Sequence, residues 1–314
     1  MEINNDNINL FLNKYVTFVN NLCEKYNYPT NIKHVLYLIV PAFIIKYGLK
    51  EERNILSCFE NIPIYVGESR SNGEIAYFNR RLHSKEEDGM MKFYSYKEIV
   101  INDYHGASLV DLIDSVVHEF NHAVNSVINE IKWDNEEISL RTGLSYINFY
   151  KSDINKVKSK SKDITLEEII NTTQTEKIIN IINSFNEYKI NNEEIANTLY
   201  SLKHDIDNNG YKSNAYYFQS YICKELMKNK TFIPTIENLR YKGNVEDIEN
   251  WFDDITNIPG SYKKLTTLLD EILKDEIKLA NVKWLKKYKI NKIMAKSRQV
   301  LDIIQIFDSN CIYR

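Results

Sequence analysis

The sequence predicts an α+β fold that is mostly helical, and three observations carry this prediction. Glycine and proline are scarce, with 9 and 5 among 314 residues, which favours long helices over a fold with many turns. Apolar residues recur at helical spacing over residues 7–60 and again from residue 166 onward. Between these regions, short runs rich in Ile, Val, Tyr and Phe are typical of strands. We therefore expect a sheet-bearing upper lobe, a central helix and a helical lower lobe.

The order of these elements also predicts how the chain is divided. Residues 1–61 should form an N-terminal helical segment, residues 62–200 the core that carries the chemistry, and residues 201–314 a C-terminal helical subdomain. A chain of 314 residues is long enough for one large domain or for two lobes that share a cleft. We expect the three segments to form one compact unit.

Three short runs are predicted to be strands, at residues 62–68, 74–79 and 97–102. The segment Ile99–Ile101 lies just before the central helix. It is either an edge strand, to which an extended substrate would add by β-pairing, or an ordinary internal strand. The central helix itself should begin at the capping box Ser108-x-x-Asp111.

Charge, cysteine spacing and hydropathy exclude several classes of protein. The net charge of −3 provides no positive field that would attract nucleic acid. The four cysteines stand alone, without a CxxC pair, which argues against a cysteine zinc site. The most apolar run, Val35–Ile45, has 11 residues, whereas a membrane span needs roughly 20, so we expect a buried helix there. With no secretory signal visible, we expect a soluble, cytoplasmic or leaderless protein without a membrane span.

The central helix contains the sequence His118-Glu119-Phe120-Asn121-His122, an HExxH motif. Side chains four residues apart project from the same face of a helix, so the two imidazoles can reach one zinc ion. Glu119 projects beside them and can take a proton from a water molecule at the metal. The motif therefore predicts one catalytic zinc ion bound through His118 and His122.

A catalytic zinc ion usually has three protein ligands, so a third must come from elsewhere. The extended motif of metzincins fails, because Asn125 and Ile128 stand where its Gly and third His would be. Glu130 is 8 residues beyond His122, about 12 Å along the same helix, which is too far. The remaining candidates are the downstream glutamates Glu136, Glu137, Glu167, Glu168, Glu193 and Glu194.

The segment Leu166–Glu176 resembles the second zinc-binding helix of gluzincins, in which a line such as N-E-x-x-T-E-x-x-T follows HExxH and its glutamate binds the metal. Matching that line puts Glu168 at the ligand position, 46 residues after His122. This gap is similar to the one in the catalytic domain of anthrax lethal factor, whose motif also reads HEF-x-H. Glu167 is a rival ligand, because it stands where Asn is common in the family and Asn171 stands where Thr is common.

Two further interpretations concern Glu168. The sequence Thr165-x-x-Glu168 is itself a capping box, which would explain a glutamate at this position without a metal. Stepping back along the helix from Ile179 and Ile182, in turns of 3.6 residues, leads to Glu168. By this register Glu168 faces the histidines, and Glu167 points toward solvent or the preceding loop.

The resemblance implies a zincin-like fold and a zinc metallopeptidase that hydrolyses a peptide or protein substrate, with Glu119 as general base. Gluzincins often add a residue that stabilises the oxyanion, and Tyr211 is our choice for it. The other eligible residues are Tyr146, Tyr216, Tyr217 and His204. Two alternatives stay open: a catalytically silent, zinc-binding interaction or toxin-associated module, and a helical scaffold without metal.

Overall fold

The computed structural model describes residues 4–67, 76–102, 108–160, 163–211, 216–280 and 286–311. The fold is α+β and mostly helical, as predicted. Tertiary contacts divide the chain into two compact units, Met1–Val124 with Gln174–Ser213 and Asn125–Thr173 with Asn214–Arg314. These boundaries differ from those expected at residues 61 and 200, and the earlier division stays a prediction.

In its described residues the first unit contains six α-helices, one of them only in part, and a three-stranded sheet. Its elements are α1 (Ile8–Tyr26), α2 (Thr30–Tyr47), α3 (Glu52–Asn61), β1 (Ile64–Val66), β2 (Ala76–Glu87), β3 (Met90–Ile101), α4 (Leu109–Val124), the end of α5 (Ile164–Ser184) and α6 (Glu193–Asn209). Helix α2 is buried along most of its length, as expected for the run Val35–Ile45. The rings of Phe59 on α3 and Phe120 on α4 lie 4.2 Å apart and fix α4 in this core.

The sheet of the first unit has the order β1-β3-β2. Strand β1 runs parallel to β3, with Ile64 opposite Ile99, and β2 runs antiparallel to β3 through its whole length. The segment Ile99–Ile101 is therefore an internal strand, and the edge-strand alternative is wrong. The hairpin turns at Asp88 and Gly89, whose φ angles of 54° and 72° suit a tight two-residue turn. The expected strand at residues 74–79 begins outside the described residues.

The second unit contains a four-stranded meander and a group of helices. Its strands are β4 (Ile131–Asp134), β5 (Glu137–Thr142), β6 (Ser145–Tyr150) and β7 (Asp153–Lys160), paired in that order. Its helices are the start of α5, α7 (Tyr217–Ile222), α8 (Lys224–Lys228), α9 (Phe232–Lys242), α10 (Val245–Thr256), α11 (Ser261–Ala280) and α12 (Lys286–Cys311). The rings of Phe252 and Phe307 stack at 4.6 Å in the core of this unit. The sequence did not predict the meander.

In the described part of the chain, no single helix is both long and apolar enough to cross a membrane. Helix α2 together with the segment Leu49–Asn61 meets the criteria of length and composition only as a pair bent by 113°.

Candidate metal centre

The capping box predicted at Ser108 starts helix α4 and so places the HExxH motif. The Ser108 hydroxyl donates to the Asp111 carboxylate at 2.7 Å, and the Asp111 backbone N–H donates to the Ser108 hydroxyl at 3.2 Å. The second bond satisfies a backbone N–H that is otherwise unpaired at a helix N-terminus. The motif begins ten residues downstream of Ser108, within the regular part of the helix.

His118 and His122 project from one face of α4, one turn apart. Their ring centroids are 5.0 Å apart and the ring planes meet at 77°. His122 is buried and His118 is half-buried. Glu119, which directly follows His118 and projects about 60° beyond His122 around the helix, is buried, with 9% of its surface exposed. The imidazoles of His118 and His122 and the carboxylate of Glu119 therefore lie on neighbouring parts of the surface of α4.

A buried polar contact on another face of α4 restrains its rotation. Asn121 is fully buried and donates from its side-chain amide to the Thr175 hydroxyl at 3.2 Å. Its amide oxygen accepts a hydrogen bond from the Tyr47 hydroxyl at 3.3 Å. Since a buried amide is costly when it lacks partners, these bonds favour one orientation of α4. They therefore help to direct His118 and His122.

Glu168 on α5 is the third residue of the candidate centre. One ligand atom from each of His118, His122 and Glu168 lies within 4.8 Å of the others, and no other such group of three was found in the described residues. Ligand atoms of a tetrahedral zinc site are about 3.3 Å apart, so small side-chain movements of about 1.5 Å at most would close the set. Two imidazole nitrogens and one carboxylate oxygen are a donor set that suits zinc.

The rival ligand Glu167 is directed elsewhere. Its side chain is 1% exposed, and its Oε2 accepts hydrogen bonds from Arg240 Nε and from the Leu144 backbone N–H, both at 2.8 Å. Its Oε1 is paired with Arg240 Nη2. A Cβ atom added at Gly143 would overlap this carboxylate. We expected Glu167 to point toward solvent or toward the preceding loop. The solvent alternative is wrong, because the Glu167 side chain lies in the core of the second unit.

The capping interpretation of Glu168 is not what the structure shows. Helix α5 begins at Ile164, so Thr165 lies inside the helix and does not precede it. The Thr165 hydroxyl donates to Asp270 Oδ1 at 2.6 Å, and the Thr165 backbone N–H donates to the same oxygen at 3.0 Å. Asp270 on α11 thus supplies the acceptor at this helix start, and Glu168 is not needed as the partner of a Thr165 cap.

Tyr211, the residue chosen for the oxyanion, donates its hydroxyl to Asp114 Oδ1 at 2.6 Å. Asp114 lies one turn before His118 on α4. Burial raises the pKa of Asp114, while the bond from Tyr211 and the charge of His118 lower it. Burial and then the charge of Asp114 also raise the pKa of Glu176 on α5. The catalytic role of Tyr211 stays a prediction, and its hydroxyl would have to leave Asp114 to fulfil it.

The other eligible residues occupy different surroundings. His204 is exposed and contacts Asn208 one turn along α6. Tyr146 lies on β6, where Lys132 Nζ is 5.1 Å from its ring centroid. Tyr216 directly precedes α7, and the side chain of Tyr217 lies outside the described residues.

Sequence reasoning missed two groups of residues around the candidate centre. Asp114 had a usable signal, because it lies four residues before the first histidine of the motif. The contact between Glu167 and Arg240 had no sequence signal, since the two residues are 73 positions apart.

Comparison with known proteins finds no matching family model, no similar curated protein and no similar solved structure.

Proposed function

We propose that the protein is a zinc-dependent peptidase in which His118, His122 and Glu168 hold one zinc ion and Glu119 is the general base. The observation that carries this proposal is the convergence of the three ligand atoms within 4.8 Å. The HExxH motif and the resemblance of Leu166–Glu176 to the second gluzincin helix point to the same three residues. The zincin-like division into a sheet-bearing lobe and a helical lobe is part of the same proposal.

The chemistry follows from the donor set and from Glu119. A bound zinc ion would supply a Lewis acid that polarises a carbonyl group and lowers the pKa of water to about 7. Glu119 lies next to His118, where it would take a proton from the attacking water and pass it to the leaving amine. Its low exposure limits competing hydrogen bonds with bulk water. The substrate would be a peptide or protein, because amide bonds are what this combination cleaves in HExxH enzymes.

The half-buried state of Glu168 is consistent with a role at an accessible centre. A catalytic metal site keeps one position open for water and substrate, so its ligands cannot all be sealed in the core. Glu168 and His118 are half-buried, whereas Glu167 is almost fully buried and already paired with Arg240. Of the two neighbouring glutamates, Glu168 is therefore the better candidate for a ligand that substrate can approach.

The metal is tested first, by elemental analysis of purified full-length protein. We expect about one zinc ion per chain, as one three-ligand site requires. His118→Ala and His122→Ala should each abolish stoichiometric zinc, while Lys203→Ala, a change at an exposed ion pair on α6, should not. Full zinc retention in both histidine variants would refute the site.

Hydrolysis is tested next, with a peptide library digested by zinc-loaded protein and read by mass spectrometry. Cleavage should stop with a chelator and return with added zinc. Glu119→Gln keeps the shape of the side chain but removes its proton affinity, so it should retain zinc and lose cleavage by several orders of magnitude. Zinc binding without any cleavage across diverse peptides and protein substrates would favour the catalytically silent module instead.

A further inference from the structure

The start of helix α5 is anchored by a buried charged cluster, which consists of Glu167, Arg240 and Asn171. All three side chains are at most 1% exposed. Arg240 Nε donates to Glu167 Oε2 at 2.8 Å, Arg240 Nη2 is paired with Glu167 Oε1, and the same Nη2 donates to Asn171 Oδ1 at 2.9 Å. One guanidinium thus holds two side chains of α5 that are one turn apart.

The cluster contacts a defined side of the helix. Glu167 and Asn171 are four residues apart, so they share one face of α5, and Arg240 at the end of α9 lies against that face. The Leu144 N–H, at the turn between β5 and β6, donates to the same carboxylate at 2.8 Å. Because the guanidinium is planar and its donors are fixed in direction, a two-point pair with a carboxylate sets orientation as well as distance.

The metal ligand proposed above lies directly beside this face. Glu168 is one residue after Glu167, about 100° away around the helix, and three residues before Asn171. Its carboxylate is carried about 6 Å from the helix axis, so a rotation of α5 by 30° would move it by about 3 Å. A displacement of about 3 Å exceeds the roughly 1.5 Å that side-chain movement has to supply, and zinc–ligand distances tolerate only about 0.2 Å, so such a rotation of α5 would take Glu168 out of the ligand set.

The geometry points to Arg240 as a positioning residue for the zinc ligand Glu168: its guanidinium holds Glu167 and Asn171 and thereby fixes the rotation of α5. This inference rests on the proposed function, since it requires Glu168 to bind zinc. Arg240 is not one of the three residues of the candidate centre, and its Nε and Nη2 donors are directed at the two α5 side chains. Outer-shell residues that orient metal ligands typically change metal affinity by about 10- to 100-fold when replaced.

The test is the zinc dissociation constant of the full chain carrying Arg240→Lys, measured by competition with a chelator. Lysine keeps the charge and loses the two-point geometry, so we expect zinc binding to weaken about 10- to 100-fold. The control is Lys296→Met, which removes a largely buried ion pair between α12 and α11 of the same unit, since the described partners of Lys296, Glu271 and Asp275, both lie on α11. Measured well below the unfolding temperature, Lys296→Met should bind zinc like the wild type. Cobalt substitution should show an altered visible spectrum for Arg240→Lys alone.

Failure of the inference is distinct from failure of the proposed function. If His118→Ala and Glu168→Ala both retain stoichiometric zinc, the metal centre itself is wrong. If they lose zinc but folded Arg240→Lys binds it like the wild type, or no more weakly than Lys296→Met, the positioning role is wrong. Should Arg240→Lys fail to fold, Asn171→Ala provides the test, because it removes one of the contacts that Arg240 makes with α5. We expect Asn171→Ala to bind zinc several-fold more weakly than the wild type. Zinc binding equal to that of the wild type would overturn the inference.

Discussion

Replacing the neighbouring residues Glu167 and Glu168 by alanine should give opposite results. Glu168 is half-buried and is the proposed zinc ligand, whereas Glu167 is buried and paired with Arg240. Glu168→Ala should therefore spare the stability of the metal-free protein and remove its response to zinc. Glu167→Ala should lower the stability of the metal-free protein and leave a zinc response that is weaker than normal but present.

The magnitudes follow from burial and from linkage. Removing one partner of a buried ion pair leaves the other charge uncompensated and typically costs about 3–5 kcal/mol. For Glu167→Ala this corresponds to a fall in melting temperature of roughly 6–20 °C. Glu168→Ala alters a partly exposed side chain and should change the metal-free stability by about 1 kcal/mol or less, well below the effect of Glu167→Ala. Zinc at about 1,000 times its dissociation constant stabilises the folded state by about 4.1 kcal/mol, and Glu168→Ala should lose most of this gain.

The assay is thermal unfolding of both variants and the wild type, each with a chelator and with excess zinc. The six melting temperatures then separate the two roles, because one variant changes the metal-free value and the other changes the zinc-induced shift. A normal zinc-induced shift in Glu168→Ala, combined with none in Glu167→Ala, would refute the assignment of the third ligand. A Glu167→Ala protein as stable as the wild type without metal would refute the reading of its ion pair.

Three further predictions concern residues around the centre. Tyr211→Phe removes a hydrogen bond to Asp114 and should cost about 1.5–3 kcal/mol in denaturant unfolding, and an oxyanion role would in addition lower kcat by about 100-fold or more. Burial and the charge of Asp114 raise the pKa of Glu176 in the folded state. Protonated Glu176 therefore contributes to the stability of the fold at acid pH, and this contribution is lost as pH rises through the folded-state pKa. Glu176→Gln should therefore raise the melting temperature at neutral pH and leave it unchanged at acid pH, and no difference at neutral pH would contradict this. Gly143→Ala places a Cβ atom against the Glu167 carboxylate at a φ of +53°, and urea unfolding should show a loss of at least about 1 kcal/mol.

The central helix could be predicted from sequence because its signals are local. The Ser108 capping box, the apolar face that carries Phe120 and the spacing of the two histidines all lie within 15 residues of one another. Each acts through the helix itself, so no knowledge of distant contacts was needed. The structure forms the cap and buries Phe120 as the pattern indicates.

The sheets were harder to predict, because their pairing depends on residues that are not apolar. Strands β2 and β3 each have 12 residues, and much of their outer part is exposed and charged. That part is held by cross-strand contacts such as the bond of 2.8 Å from the Tyr94 hydroxyl to Glu87, and by the turn at Asp88 and Gly89. The lysine-rich strand β7 gives a weak sequence signal for a similar reason, since its exposed side chains hide its alternation.

The neighbouring glutamates show most clearly where sequence reasoning ends. The helical register counted from Ile179 and Ile182 predicts that Glu168 lies on the buried stripe of α5 and Glu167 outside it. The burial is the reverse, since Glu167 is 1% exposed and Glu168 is half-buried. The stripe of buried positions that passes through Ile179 and Ile182 continues into the core. The carboxylate that lies in the core is that of Glu167, which is paired with Arg240. A stripe of buried positions cannot distinguish a carboxylate that faces a metal from one that faces Arg240, because both require burial and both require a partner. The distinction lies in the position of Arg240, 73 residues away, so Glu168 is favoured as the ligand by a contact that only the folded chain creates.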